Sequence, residues 1–250
     1  LSTVSYKAAS NVLEDKGMSA MKSEMRAVSD MLELQYDSLL QLARRNADVF
    51  KEMYPGQFSK PDKTVNVMGV SSPALMHEQE QINSSKSKVD RFANLTGGTA
   101  TVFVRDGDDF MRVSTSLKKA DGSRALGTFL GKTHPGYQAL ISGQEYEGYA
   151  KLFGKDYMTV YRPVKDVQGQ VIGILYIGFD ITSSLKQLKD AVNRLTLEES
   201  GRFLLVRKAD NVLVAHPQFN AGDVITESML DGLSVAEATK DDSEYSYINS

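Results

Sequence analysis

The sequence has 250 residues, no cysteine and a formal net charge of −3, with 24% charged side chains. That length permits one large domain or a medium one with a smaller companion. The absence of a basic excess argues against a nucleic-acid-binding face, and the lack of cysteine removes disulfides, thiolate metal sites and cysteine nucleophiles together. No run approaches the roughly 20 apolar residues that cross a bilayer, and Leu1 opens a polar, helix-forming stretch instead of a signal peptide. The chain therefore reads as soluble or as trimmed of membrane segments.

Residues 11–53 contain no proline, and Met18, Met21, Met25, Val28, Leu32, Tyr36, Leu39, Leu42, Val49 and Met53 recur at helical steps. One long amphipathic helix is predicted, about 60 Å in length. Its stripe suits pairing with a second copy or, the commoner outcome, packing on its own sheet. Tyr54-Pro55-Gly56 stops it. A short strand over 65–70, a helix start at Ser72-Pro73 and a helix over 88–95 capped by Gly97-Gly98 come next. Five strand-like runs follow, at 99–104, 110–116, 146–153, 157–164 and 170–179. Asp106-Gly107, Gly154-Lys155-Asp156 and Gln168-Gly169 stand at hairpin positions, so the sheet is expected to be antiparallel and the fold α+β. The interruption at 118–143 is glycine-rich and ends in a short helical piece. A connecting helix over 182–199 leads to a strand pair at 202–207 and 212–216, a helix near 228–238 and a last strand near 244–248, which together read as part of a second, smaller unit.

The sequence displays no HExxH, GxSxG, Walker or GxGxxG signature, and the three histidines His77, His134 and His216 stand apart. No enzyme, metal site or cofactor is expected. His134, in the turn His134-Pro135-Gly136, reads as a solvated loop residue, and Asp106, Asp108 and Asp109 read as a hairpin turn without calcium-loop spacing. The informative run is 110–116. Strict alternation places Arg112, Ser114 and Ser116 on one face and Met111, Val113 and Thr115 on the other. A buried arginine among hydroxyls needs an anionic partner. The following strands add Tyr146, then Tyr157, Thr159 and Tyr161 on single faces. One reading is a pocket in which the guanidinium holds a carboxylate while phenols donate; the other is a surface arginine beside core tyrosines.

The succession Ala100-Thr101-Val102-Phe103, Asp109-Phe110-Met111-Arg112-Val113-Ser114-Thr115, Gly127-Thr128, Tyr146-Glu147-Gly148-Tyr149-Ala150, Tyr157-Met158-Thr159-Val160-Tyr161-Arg162-Pro163-Val164 and Gly169-Gln170-Val171-Ile172-Gly173-Ile174-Leu175-Tyr176-Ile177-Gly178 resembles Cache sensor domains. The likeness is to the Cache 3/Cache 2 fusion type of methyl-accepting chemotaxis proteins and some sensor kinases, and it covers about residues 61–181. It implies a long N-terminal helix (1–56) packed on a PAS-like antiparallel sheet (57–181), a connecting helix (182–199) and a second, smaller, incomplete PAS-like unit (200–250). It further implies a periplasmic module of an inner-membrane receptor that binds a small carboxylate or amino-acid-like ligand and signals through helices. A histidine-kinase sensor, or an interaction module with no small ligand, is the alternative. Arg112 then takes the place of the family's basic anchor, and Tyr146, Tyr157 and Tyr161 line the pocket. Asp180 matches the position that holds a ligand amine in amino-acid binders, and equally suits the cap of the helix starting at Thr182. The absence of tryptophan favours a simple carboxylate over an α-amino acid.

Overall fold

A computed structural model of the chain describes residues 4–9, 15–194, 202–207, 211–215, 223–229 and 234. The fold is α+β. The chain divides into two compact units, one of residues Leu39–Thr182, the other of Leu1–Ser38 with Ser183–Ser250.

The smaller unit begins with a strand, β1 (Val4–Ala9), which precedes the long helix α1 (Asp15–Glu52). This corrects the helix-forming reading of the N-terminus. Val4, Tyr6 and Ala8 alternate with Ser5 and Lys7, which is strand spacing.

In the larger unit α1 contributes Leu40, Ala43, Ala47, Phe50 and, just past its end, Tyr54, all buried and spaced by three and four. Next come five short strands: β2 (Phe58–Ser59), β3 (Thr64–Val67), β4 (Val70–Pro73), β5 (Met76–His77) and β6 (Glu80–Gln81). The expected helix start at Ser72-Pro73 is instead the end of β4. Met68 and Gly69 both take positive φ, 52° and 86°, closing a two-residue hairpin between β3 and β4. Buried Asn83 locks that arrangement, accepting from Leu75 N–H at 2.8 Å and donating to Pro73 O at 2.9 Å.

The helix α2 (Ser87–Thr96) ends on Gly97, whose φ of 73° makes the left-handed cap. The main sheet follows: β7 (Thr99–Asp106), β8 (Asp109–Thr115), the short helix α3 (Tyr137–Ile141), then β9 (Tyr146–Leu152), β10 (Lys155–Lys165) and β11 (Val171–Asp180). Its order is β8-β7-β11-β10-β9, antiparallel throughout. Along β9 and β10 successive side chains face opposite ways, so the sheet has two distinct faces.

The back face carries Glu147 and Arg162. It receives α1 through ion pairs of Arg44 with Glu147 and of Arg162 with Asp48, and α2 through Phe92, whose ring meets Phe50 at 5.2 Å. Burying an aromatic side chain of this size contributes about 1.5–3 kcal/mol, whereas the exposed ion pairs orient the helix and contribute little. The front face carries Phe103, Tyr161, Ile174 and Tyr176. It is covered by the 118–143 segment, from which Leu130, Leu140 and Ile141 join that cluster.

From β11 the chain enters α4 (Thr182–Arg194), then β12 (Arg202–Arg207) and β13 (Val212–Ala215). β1 pairs antiparallel with β12, completing a three-stranded sheet of order β1-β12-β13. The smaller unit therefore draws a strand from the opposite end of the sequence. A 3-10 turn occupies Glu227–Met229. Within the expected helix near 228–238, Ser234 is not helical; its other residues beyond Met229, the strand near 244–248 and the last turns of the 182–199 helix lie outside the described residues.

Candidate functional site

Arg112 lies on β8 and is 5% exposed. The strand is not regular there: Val102 pairs with Ser114 and Phe103 with Arg112, so Val113 is the extra residue of a bulge. The bulge reverses the alternation expected from the sequence. Arg112 and Thr115 share the front face, and Ser114 is turned to the back, where its hydroxyl donates to Ser85 O at 2.6 Å ahead of α2. Ser116, past the end of β8, is tied to the main chain of Ala100. Neither serine joins Arg112, which is a correction to the expected hydroxyl group around it.

The guanidinium is held from one side only. Nη1 donates to Thr128 Oγ1 at 3.0 Å and to Phe129 O at 2.8 Å, and the charge sits 4.8 Å from the centroid of Phe103 and 5.9 Å from that of Phe153. Residues 127–130 reach this position because they pair along the outer edge of β8: Arg112 N–H donates to Thr128 O, and Leu130 N–H to Phe110 O. No carboxylate among the described residues forms an ion pair with Arg112. Asp109, which contributes attraction, has Oδ1 engaged by the N–H groups of Phe110 and Gly131. Burial accordingly lowers the arginine's pKa.

Tyrosines form the floor. Tyr161 pairs across the strands with Tyr146 on one side and Tyr176 on the other, and the Tyr161 and Tyr176 rings lie 4.8 Å apart. Burial raises the pKa of both Tyr161 and Tyr176, so both are protonated phenols. The neighbouring hydroxyls of Thr159 and Thr99 are turned to the carbonyls of Gly148 and Gly178. His134 closes the group, its ring 4.8 Å from Tyr161 and 5.3 Å from Tyr146, both edge-on. Its pKa is lowered to about 4, by burial first and then by the charge of Arg112.

Four buried side-chain polar atoms among the described residues have no hydrogen-bond partner: Arg112 Nε, His134 Nε2, Tyr161 Oη and Tyr176 Oη. All four belong to this cluster. A buried polar group left unpaired costs about 1–3 kcal/mol, and four in one cluster call for a physical explanation.

Of the sequence-derived residues, the structure thus brings together Arg112, Tyr146 and Tyr161. Thr159 is one pair further along the same face of β10, and Tyr157 lies two pairs along, opposite Asp180; burial first, and then the charge of Asp180, raises the phenol's pKa. Asp180 is exposed. Its Oδ1 accepts from Thr182 N–H at 3.0 Å and its Oδ2 from Lys155 Nζ at 2.9 Å, so it caps α4 and pairs with a lysine. Sequence reasoning passed over Tyr176 and read His134 as a solvated loop residue, whereas its Nε2 is buried in this cluster. The first had a signal, since the hairpin at Gln168-Gly169 sets Tyr176 opposite Tyr161; the second had none, because turn spacing says nothing of burial.

The sequence matches the Cache 3/Cache 2 fusion domain over residues 6–248. Among solved structures, the chain is similar to the periplasmic domain of RsbU from Chlamydia trachomatis, at 11% identity and a TM-score of 0.49 over 88% of this chain and 73% of that one. It is also similar to the periplasmic sensory domain of the Campylobacter jejuni chemoreceptor Tlp1, at 13% identity and a TM-score of 0.43 over 79% and 71%. No curated relative matches the chain at a significant level.

Proposed function

Since the chain belongs to the Cache 3/Cache 2 fusion family, we propose that it is the extracytoplasmic sensor region of a transmembrane chemoreceptor and binds a small organic carboxylate on the front face of its five-stranded sheet. The observation that supports this is Arg112: a buried cation with a free Nε–H and no acidic partner among the described residues, facing two unpartnered phenols. A carboxylate supplies the missing charge and accepts from the guanidinium and the phenols at once. Nothing in the cluster resembles a nucleophile and its base, so the group binds and does not react.

Transmission follows from what the sheet is attached to. The ion pairs of Arg44 and Asp48 fix α1 to β9 and β10, and α4 follows β11 directly through the Asp180 cap. A ligand held between the sheet and the 118–143 segment that covers its front face shifts the sheet relative to α1, and a displacement of about 1–2 Å in a helix is a sufficient signal.

A thermal-shift screen of acetate, propionate, pyruvate, lactate, malate, succinate and amino acids tests the proposal. A bound carboxylate at a hundred times its dissociation constant stabilises by about 2.7 kcal/mol. Melting that no carboxylate alters would leave the protein as an interaction module without a small ligand.

A further inference from the structure

We propose that His134 is a ligand-binding and specificity residue of this site, and that with Arg112, Tyr161 and Tyr176 it restricts the site to a singly charged carboxylate carrying neither an ammonium group nor a second carboxylate. The inference rests on the carboxylate reading above and narrows it.

The tautomer of His134 follows from one hydrogen bond. Gly136 N–H donates to His134 Nδ1 at 3.0 Å. A nitrogen that accepts carries no proton, so in the neutral ring the proton is on Nε2. The ring is held by edge contacts with Tyr146 and Tyr161. Gly136 makes this packing available, since a side chain there would collide with the Tyr146 ring. His134 Nε2–H is therefore an oriented donor, buried and without an acceptor.

Two of the four unpartnered groups, Arg112 Nε–H and His134 Nε2–H, can only donate, and the two phenols can also donate. A carboxylate offers about four lone-pair sites, so it can accept from the two obligatory donors and still have capacity for a phenol. The charge is equally restrictive. Arg112 brings one positive charge, drawn on in part by Asp109, and His134 is neutral, so the site has countercharge for at most one carboxylate. A second carboxylate would be buried without a countercharge. An ammonium group would have to compete with Arg112 for Asp109, whose Oδ1 already accepts from the N–H groups of Phe110 and Gly131, because Asp180 is exposed and paired with Lys155.

The test is titration calorimetry of the protein with sodium acetate, propionate, pyruvate, lactate, succinate, malate and alanine. It uses the wild type, Arg112→Met, His134→Phe and His134→Gln. The wild type is expected to bind at least one monocarboxylate about tenfold or more tighter than succinate, malate or alanine. His134→Phe should weaken that binding about tenfold, and His134→Gln, whose amide N–H reaches the Nε2 position, should recover most of it. If His134→Phe does not fold, His134→Asn replaces it, because its shorter amide ends near the Nδ1 position. Affinity unchanged within about twofold in the donor-less variant, alongside loss in Arg112→Met, overturns the role of His134 and leaves the carboxylate reading standing. Succinate, malate or alanine binding as tightly as the best monocarboxylate overturns the charge selection. A wild type that binds none of these anions overturns the carboxylate reading itself.

Discussion

Arg112 stands directly across the β7–β8 pair from Phe103, and its guanidinium carbon lies 4.8 Å from the centroid of that ring. The contact exists because a bulge at Val113 turns Arg112 to the front face, beside Phe103 on the neighbouring β7. A ring face attracts a cation by about 0.5–2 kcal/mol, well short of the cost of burying a charge without a counterion. On the proposed reading, an anion relieves that cost.

Replacing the arginine should consequently not harm the fold. Arg112→Met keeps the length and apolar stem and removes the charge, and its unliganded stability is expected to equal or exceed that of the wild type by about 0–2 kcal/mol in chemical denaturation. A loss of more than about 2 kcal/mol would mark the arginine as a structural residue held by Thr128 and Phe129.

The tyrosine floor makes a parallel prediction with a different chemistry. Tyr176→Phe removes a buried hydroxyl that has no partner. The free protein should be as stable as before or slightly more so, and carboxylate affinity should fall about threefold to tenfold, the value of one hydrogen bond. Equal affinity would show that this hydroxyl does not touch the ligand.

Gly136 and Gly97 separate steric from conformational effects. At Gly136 the backbone is ordinary, with φ of −84°, but a methyl group would collide with the Tyr146 ring. Gly136→Ala should cost about 1–3 kcal/mol of stability and weaken ligand binding. At Gly97 the reverse holds: φ is 73° and nothing lies within 4 Å of the added carbon. Gly97→Ala should cost roughly 1 kcal/mol and leave binding untouched.

Acid should find His134 as well. Its pKa is depressed in the folded state to about 4 from an ordinary 6.5, so the unfolded chain takes up the proton first. The stability that a neutral His134 contributes is complete above pH 6.5 and is lost as the pH falls from there towards 4. Denaturation curves at pH 7 and pH 4.5 should show the wild type losing roughly 2 kcal/mol relative to His134→Gln over that interval. Parallel losses in both proteins would contradict it.

Much of the larger unit could be read from periodicity and turn residues. The five strands, the stop at Tyr54-Pro55-Gly56, the Gly97 cap and the hairpins at Asp106-Gly107 and Gln168-Gly169 all rest on local chemistry. What failed depended on pairing. A bulge is a relation between two strands, so the facing of Ser114 was invisible in β8 alone. β1 needs β12, nearly two hundred residues away in sequence, to be a strand. The Met68-Gly69 turn placed Ser72 and Pro73 in a hairpin where isolated propensity suggested a helix start. His134 lay beyond reach for the same reason, since only the fold brings its turn over Tyr161.

The central claim is that the buried cluster around Arg112 is an anion site, and titration calorimetry of wild type and Arg112→Met against the small monocarboxylates tests it most directly. The account predicts saturable binding of at least one of them by the wild type, with affinity reduced at least about a hundredfold in Arg112→Met, as expected when a charge-assisted hydrogen-bonding partner is removed. Equal binding by a folded Arg112→Met protein, or no binding of any carboxylate by the wild type, would contradict it.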